Sequence, residues 1–336
     1  MAPITLEQAK LNTMEDYDPA IIDEFRKNST LLDMLTFDRA VSPAGGGATL
    51  DYGYRRVKTE RGAAFRALNS EYKTEAATTE KHSVTLAPLG GAFEIDRVIA
   101  KLGPAASGEI VFQMQQLIKA TNARFLDEVI NGDTASEEIE EPVADAKAGF
   151  DGLSKALLGS DTEVKESGYD WSEFASAEES LTVLDHLDEF TSVLDGPPTV
   201  LIANRRVLAK IRAAARRANL YTKSPVDGLQ INGVPLERET IGNLVLIDAG
   251  TKAGTNKPII PVTKGATDIY AVRLGLDGFH GVTTTEGSML QTWLPDFTTA
   301  GAVKKGEVEL GPVGVALKRT KAAAVLRGVK ISAEEV

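Results

Sequence analysis

The residues able to do chemistry are few and scattered. The three histidines, His82, His186 and His280, stand far apart in the chain. Cysteine is absent, which removes disulfides, thiol nucleophiles and most structural zinc sites. Asp185, His186, Asp188 and Glu189 are the one grouping with metal-ligand character, since His186 and Glu189 fall one turn apart on a helix. The same helix carries further acids, so a solvated polar face is the favoured reading. Ser288 follows Gly287, but no Gly-x-Ser-x-Gly elbow surrounds it. Gly45, Gly46 and Gly47 lack the preceding buried strand and the Lys-Ser/Thr of a phosphate loop, and read as a hinge. Spacing cannot locate a carboxylate pair among 48 acidic residues. No catalytic, cofactor or metal site is assigned, and the sequence makes no positive case for an enzyme.

The remaining chemistry is charge. Lysine and arginine number 37, leaving a net charge of −11, which opposes sequence-independent binding to nucleic acid phosphates. The basic groups concentrate in two places. Arg55, Arg56, Lys58, Arg61, Arg66 and Lys73 lie within residues 48–87, and Arg205, Arg206, Lys210, Arg212, Arg216 and Arg217 within 204–220. The second group lacks interleaved aromatics, so a solvated face, or one meeting a neighbouring subunit's acidic surface, is favoured over a nucleic-acid contact. Hydrophobic content of 43% and charged content of 25% suit a globular chain. No apolar run reaches the roughly 18 residues of a membrane span, and residues 1–15 lack a signal pattern, which points to a chain made and used in a cytoplasm.

Positioning these groups falls to a long helix. Pro104 and Ser107 mark its entrance, Asn131 and Gly132 its end. Ile110, Val111, Met114, Leu117, Ile118, Phe125 and Val129 form one stripe, while Gln113, Gln116, Lys119, Asn122 and Asp127 keep the other side polar. The helix is therefore expected to lie along a sheet without being surrounded. Phe112 and Leu126 sit off the stripe and suggest a second, smaller contact. Ile110, Met114, Leu117 and Phe125 are the expected spine-helix core.

Ahead of it, Asp18 caps a helical segment with Ile21, Ile22, Phe25, Leu31, Leu32 and Leu35, which reads equally as a docking arm or as a first core helix. Within 48–87, Leu50, Tyr52 and Tyr54 alternate, as do Val84 and Leu86, predicting a long hairpin with little of its own to bury; a disordered insertion is the competing reading. Residues 137–141 read as a solvated acidic loop. Helices are expected over 177–194 and 204–220, and strands over 199–203, 244–247, 259–262, 269–272, 289–294, 313–317 and 322–329, with an Asn232-Gly233 turn between. Helices followed by strands without strict alternation indicate an α+β fold.

In this order the chain resembles the major capsid proteins of tailed bacteriophages, whose shell fold is shared with encapsulin nanocompartments and the herpesvirus capsid floor. The likeness rests on the arm, hairpin and long helix, on Phe150-Asp151-Gly152-Leu153, and on the helix, strand and basic helix around 199–220. Gly233-Val234-Pro235-Leu236 is similar to the family's Gly-x-Pro-hydrophobic turn, and residues 322–329 to its final strand. The resemblance implies an N-terminal arm (1–43), an extended hairpin or E-loop (44–87), a peripheral domain (88–175 and 274–336) with a spine helix over 105–130, and an axial domain (176–273). It further implies a structural protein that self-assembles, through pentameric and hexameric capsomers, into an icosahedral head shell around packaged double-stranded DNA. Such a protein belongs to the virion and is assembled in the host cytoplasm.

By the same resemblance its partners are other copies of itself, a portal, decoration proteins and a separate scaffolding protein, the last because the arm begins almost at Met1. DNA is enclosed without sequence-specific binding, and no membrane or cofactor is involved. Lys58 and Lys73 lie in the hairpin, but no motif singles out either for the family's lysine-to-asparagine crosslink. The expected assembly interface comprises Tyr54, Arg56, Arg61, Phe65 and Arg66 in the hairpin and Arg205, Arg212 and Arg216 in the basic helix. The hairpin arginines are expected to meet acids across a subunit boundary, the helix arginines to do so around the capsomer axis or to face solvent. An encapsulin-like shell around protein cargo is the near alternative, and a soluble α+β enzyme or binding protein with 48–87 as a disordered insertion the distant one.

Overall fold

Alternating apolar residues build the sheets of this chain. The computed structural model describes residues 30–39, 49–101, 104–135, 149–165, 169–173, 176–231, 234–284 and 290–332. The arm residues before Thr30, Gly45 to Gly47, residues 137–141, Asn232-Gly233 and Ser288 lie outside them. Helix α1 (Thr30–Met34) and strand β1 (Phe37–Asp38) open the described chain. β2 (Asp51–Thr59) and β3 (Thr78–Thr85) pair antiparallel as a hairpin, with residues 60–77 exposed between them. β4 (Ala87–Asp96) leads into α2 (Pro104–Asn131), 28 residues and about 40 Å long. Then come α3 (Leu153–Ala156), β5 (Glu163–Val164), α4 (Ala177–Ser192), β6 (Val200–Ala203), α5 (Arg205–Arg217), β7 (Tyr221–Ile231), β8 (Val234–Ile241), β9 (Leu244–Asp248) and β10 (Ala266–Val272). β11 (Phe279–Thr283), β12 (Leu290–Trp293), β13 (Val303–Leu317) and β14 (Ala323–Lys330) complete it.

One sheet of five strands runs β1-β11-β13-β12, with β4 also paired to β13; a second of seven runs β5-β14-β10-β6-β9-β8-β7. The period of two explains how β6, β10 and β14 of the second sheet are buried on both faces. Val200, Ile202, Tyr270, Val272 and Val325 face a core shared with α1, α2, α3 and the five-stranded sheet. Leu201, Ala203, Ile269, Ala271 and Leu326 face the other way, against Val183, Leu187 and Phe190 of α4 and Val207, Leu208 and Ile211 of α5. Local chemistry sets the helix starts. Ser176 and Glu179 form a reciprocal capping box at α4. Asn204 accepts from the Arg206 amide and donates to the Ile260 carbonyl, fixing α5 to the loop after β9.

The fold is α+β, but several local expectations are corrected. Residues 259–262 are not a strand: Ile259 and Ile260 are buried by turns, with the Ile259 amide bonded to the Gly250 carbonyl. A four-residue apolar run does not distinguish the two. The last long strand begins at Val303, not 313, because its first half alternates Lys305, Glu307 and Glu309 with buried Val308 and Leu310. β4 is a full strand despite Pro88, Gly90 and Gly91. A side chain at Gly90 would stand 2.3 Å from the Val308 carbonyl oxygen, so glycine is what allows the two backbones to meet. The long helix is one-sided only in its first half. From Phe125 to Ile130 every residue is buried, Asp127, Glu128 and the off-stripe Leu126 included, whereas Val111 is exposed. The C-terminal half is enclosed by α1, α3 and both sheets, which helical periodicity alone does not reveal. The sheet built within 176–273 also takes in β5 and β14 from outside that range.

Candidate assembly surface

The hairpin carries two different surfaces. At its root the chain holds itself. Tyr52 and Leu86 are buried against Val282 and Ala316, and the Tyr52 hydroxyl donates to Asp38 Oδ2 at 2.8 Å. Burial first, then Asp38, pushes the Tyr52 phenol well above its ordinary range. The Tyr54 hydroxyl donates to the Leu317 carbonyl at 3.0 Å, and its ring stacks on His82. Arg56 donates from Nε to the Lys318 carbonyl at 3.1 Å and from Nη2 to the Leu317 carbonyl. Tyr54 and Arg56 therefore clamp the hairpin to the end of β13 in the same chain.

At the tip the chain offers itself. Phe65 is fully exposed, Leu68 nearly so, and Tyr72 mostly so. Arg66 folds back, donating to the Ala67 and Ser70 carbonyls at 3.2 Å with its guanidinium 5.3 Å from the Tyr72 ring centre. Arg61 borders an open recess with Gly62, Tyr72, Lys73 and Glu75. Among the described residues it has no hydrogen bond or ion pair.

The basic helix is largely spent within its own chain. Arg212 holds both oxygens of Glu239, at 3.0 and 2.8 Å, and Arg205 lies 3.5 Å from Asp248. Both pairs are intramolecular; the Arg205 side chain is nevertheless exposed to solvent, as one of the expectations had it, while Arg212 is half-buried on Glu239. The reason is that β8 and β9 return beside α5 and bring those acids with them. Arg216 is exposed in the last turn, where a cation favours the helix C-terminus.

Along α2, Met114 is buried with Phe93 and Val308, and half-buried Ile110 and Leu117 pack on them. Phe125 is fully buried and packs beside Phe37 and Phe150. The putting together of helix, β4 and β13 thus makes the platform from which the hairpin projects. His186 accepts a hydrogen bond at Nδ1 from Trp171, 3.2 Å away, and lies edge-on to Tyr169. Among the described residues no group of three or more His, Asp and Glu is placed to hold a metal, and no helix is long and apolar enough to cross a membrane.

Sequence reasoning did not single out two features. Asp38, Tyr52, His280 and Lys318 converge at the hairpin root, joined only by the fold. Trp293, Leu294 and Phe297 are exposed on or just after β12, which is an edge strand. The bulky apolar run in 289–297 was the available signal for the second.

No protein-family model matches the sequence, and no curated protein sequence matches it. Solved structures do match. The holo-SrpI encapsulin complex of Synechococcus elongatus PCC 7942 has a TM-score of 0.57 at 15% identity, covering 100% of this chain and 99% of that one. The capsid of Myoviridae Phage XM1 has a TM-score of 0.57 at 14% identity, covering 97% and 99%. The capsid of the native GTA particle has a TM-score of 0.53 at 12% identity, covering 98% of each. Over its whole length, then, the chain has the shell fold shared by phage major capsid proteins and encapsulins.

Proposed function

We propose that this chain is a structural shell protein of a phage head. Copies of it form pentameric and hexameric capsomers and close an icosahedral shell around double-stranded DNA, as a component of the virion. The observation that carries the reading is the hairpin tip on this fold: Phe65 and Leu68 project from a two-stranded ribbon with none of the described residues over them, and Tyr72, under the Arg66 guanidinium, is still mostly exposed beside them. A ribbon of that kind persists by lying on a neighbour, and here the neighbour is another copy. The acidic balance fits a container, since a lining of lysine and arginine would hold DNA at many phosphates. The chain acts by assembly and not by catalysis; scaffolding, portal and decoration proteins are its partners on this reading.

The encapsulin alternative has its own support in the match to the SrpI complex, at the same TM-score as the phage XM1 capsid. Size-exclusion chromatography and negative-stain microscopy of the purified full chain are expected to show capsomers and closed shells. A particle of 35.9 kDa at every concentration would overturn the proposal. Particles from infected cells that hold nuclease-protected DNA support the phage reading, and shells filled with protein support the encapsulin one.

A further inference from the structure

His280 is fully buried, at 0% exposure, and among the described residues neither ring nitrogen has a well-formed hydrogen bond. Buried polar groups left unmade are costly, and each calls for an explanation. Its surroundings supply one. From β1 comes Asp38, whose Oδ2 stands 3.9 Å from His280 Nε2. From the hairpin comes Tyr52, edge-on to the imidazole at 5.9 Å, with its hydroxyl on that same Asp38 oxygen. After β13 comes Lys318, 3.7 Å from the same oxygen and 5.6 Å from the Tyr52 ring centre. The turn before β11 adds Asp277 and the Gly278 backbone, whose contact with the imidazole is too poor in geometry to count as a hydrogen bond. Tyr54 and Arg56 sit one step further along the hairpin, on the carbonyls of Leu317 and Lys318. One carboxylate oxygen thus ties the hairpin to the arm while standing beside an unbonded imidazole.

We propose that His280 is a proton-operated latch at the hairpin root: on gaining a proton it draws Asp38 away from Tyr52 and releases the hairpin root from β1, while Tyr54 and Arg56 keep their hold on the end of β13. A buried imidazolium is tolerated only when paired, and Asp38 is the carboxylate beside it. A gap of 3.9 Å is too long for a hydrogen bond and closes with about an ångström of movement. The same movement breaks the Tyr52 bond and crowds the Lys318 ammonium, which is already partly exposed and free to turn outward. Burial, and then Lys318, hold the His280 pKa below the usual imidazole value, so the latch opens in mild acid and stays shut at neutral pH.

Hydrogen exchange on the purified full chain, corrected for intrinsic rates, tests this. As pH falls from neutrality to below the ordinary imidazole value of about 6.5, exchange in residues 49–59 and 78–86 is expected to rise at least tenfold while 205–217 stays constant. His280→Gln, neutral throughout, is expected to abolish the step. His82→Gln, which removes the other hairpin-side imidazole, is expected to keep it. Asp38→Asn is expected to leave the root open already at neutral pH. A direct reading needs no variant: the His280 ring resonance of the wild-type chain must titrate in the window of the exchange step. A flat profile, a step that survives His280→Gln, or a ring that titrates elsewhere would overturn the latch.

Discussion

Glu163 shows how one side chain ties distant parts of this fold. It sits in a two-residue strand, nearly buried, and Arg327 Nε, 164 residues away in the chain, donates to it at 2.8 Å. Lys165 and the Gly159 amide reach its other oxygen, each at 2.8 Å. Burial opposes the negative charge, but these three contacts outweigh it and bring the pKa from 4.5 down to about 2. A depressed carboxylate pKa means stability that is fully present above pH 4.5 and is lost as pH falls toward 2. Glu163→Gln is therefore expected to lower the thermal midpoint at neutral pH and to flatten its fall between pH 4.5 and 2. An unchanged acid slope in that variant would show that the pair contributes nothing. None of this was readable in the sequence. Charged residues can be seen there, but partners such as Arg327 and Glu163, or Arg212 and Glu239, meet only after strands far apart have been laid side by side.

Helix α2 was readable, because its signal is local. The expected 105–130 lies inside the observed Pro104–Asn131, and Met114 and Phe125 both point into packed apolar surroundings. What the stripe did not disclose is how unevenly it is covered, since that depends on where α1, α3 and the two sheets end. Two substitutions measure the difference. Phe125→Ala removes a fully buried ring and should cost about 3–5 kcal/mol in urea unfolding. Val111→Ala, on the same sequence stripe but exposed, should stay within roughly 0.5 kcal/mol. Equal effects would mean that the helix is packed evenly along its length. β4 and the first half of β13 escaped notice for a related reason. Each is interrupted by glycines whose value lies in the strand opposite: Gly90 against the Val308 backbone, and Gly306 under the Phe93 ring, 2.5 Å from where a Cβ would stand.

For the molecule as a whole the governing quantity is charge. With a net charge of −11, copies of this chain repel one another at long range, so assembly depends on salt screening and on local cations placed at the contacts. Most arginines of the expected interface are already committed at home: Arg56 to the carbonyls of Leu317 and Lys318, Arg66 to its own tip, Arg205 to Asp248 and Arg212 to Glu239. Arg61 differs. It borders the same open recess as the mostly exposed Tyr72, and among the described residues it makes no bond in its own chain. An exposed ion pair contributes only about 0–1 kcal/mol, but every contact in a closed shell repeats it, and a reversed charge replaces attraction with repulsion at each one. Arg61→Glu is accordingly expected to leave urea unfolding of the unassembled chain within about 0.5 kcal/mol of wild type. Shell yield should fall severalfold at low ionic strength and recover in part as added salt screens the repulsion. Light scattering across a salt series separates the two effects. Unchanged yield at every salt concentration would remove Arg61 from the contact, and a matching loss of monomer stability would move its role from assembly to folding.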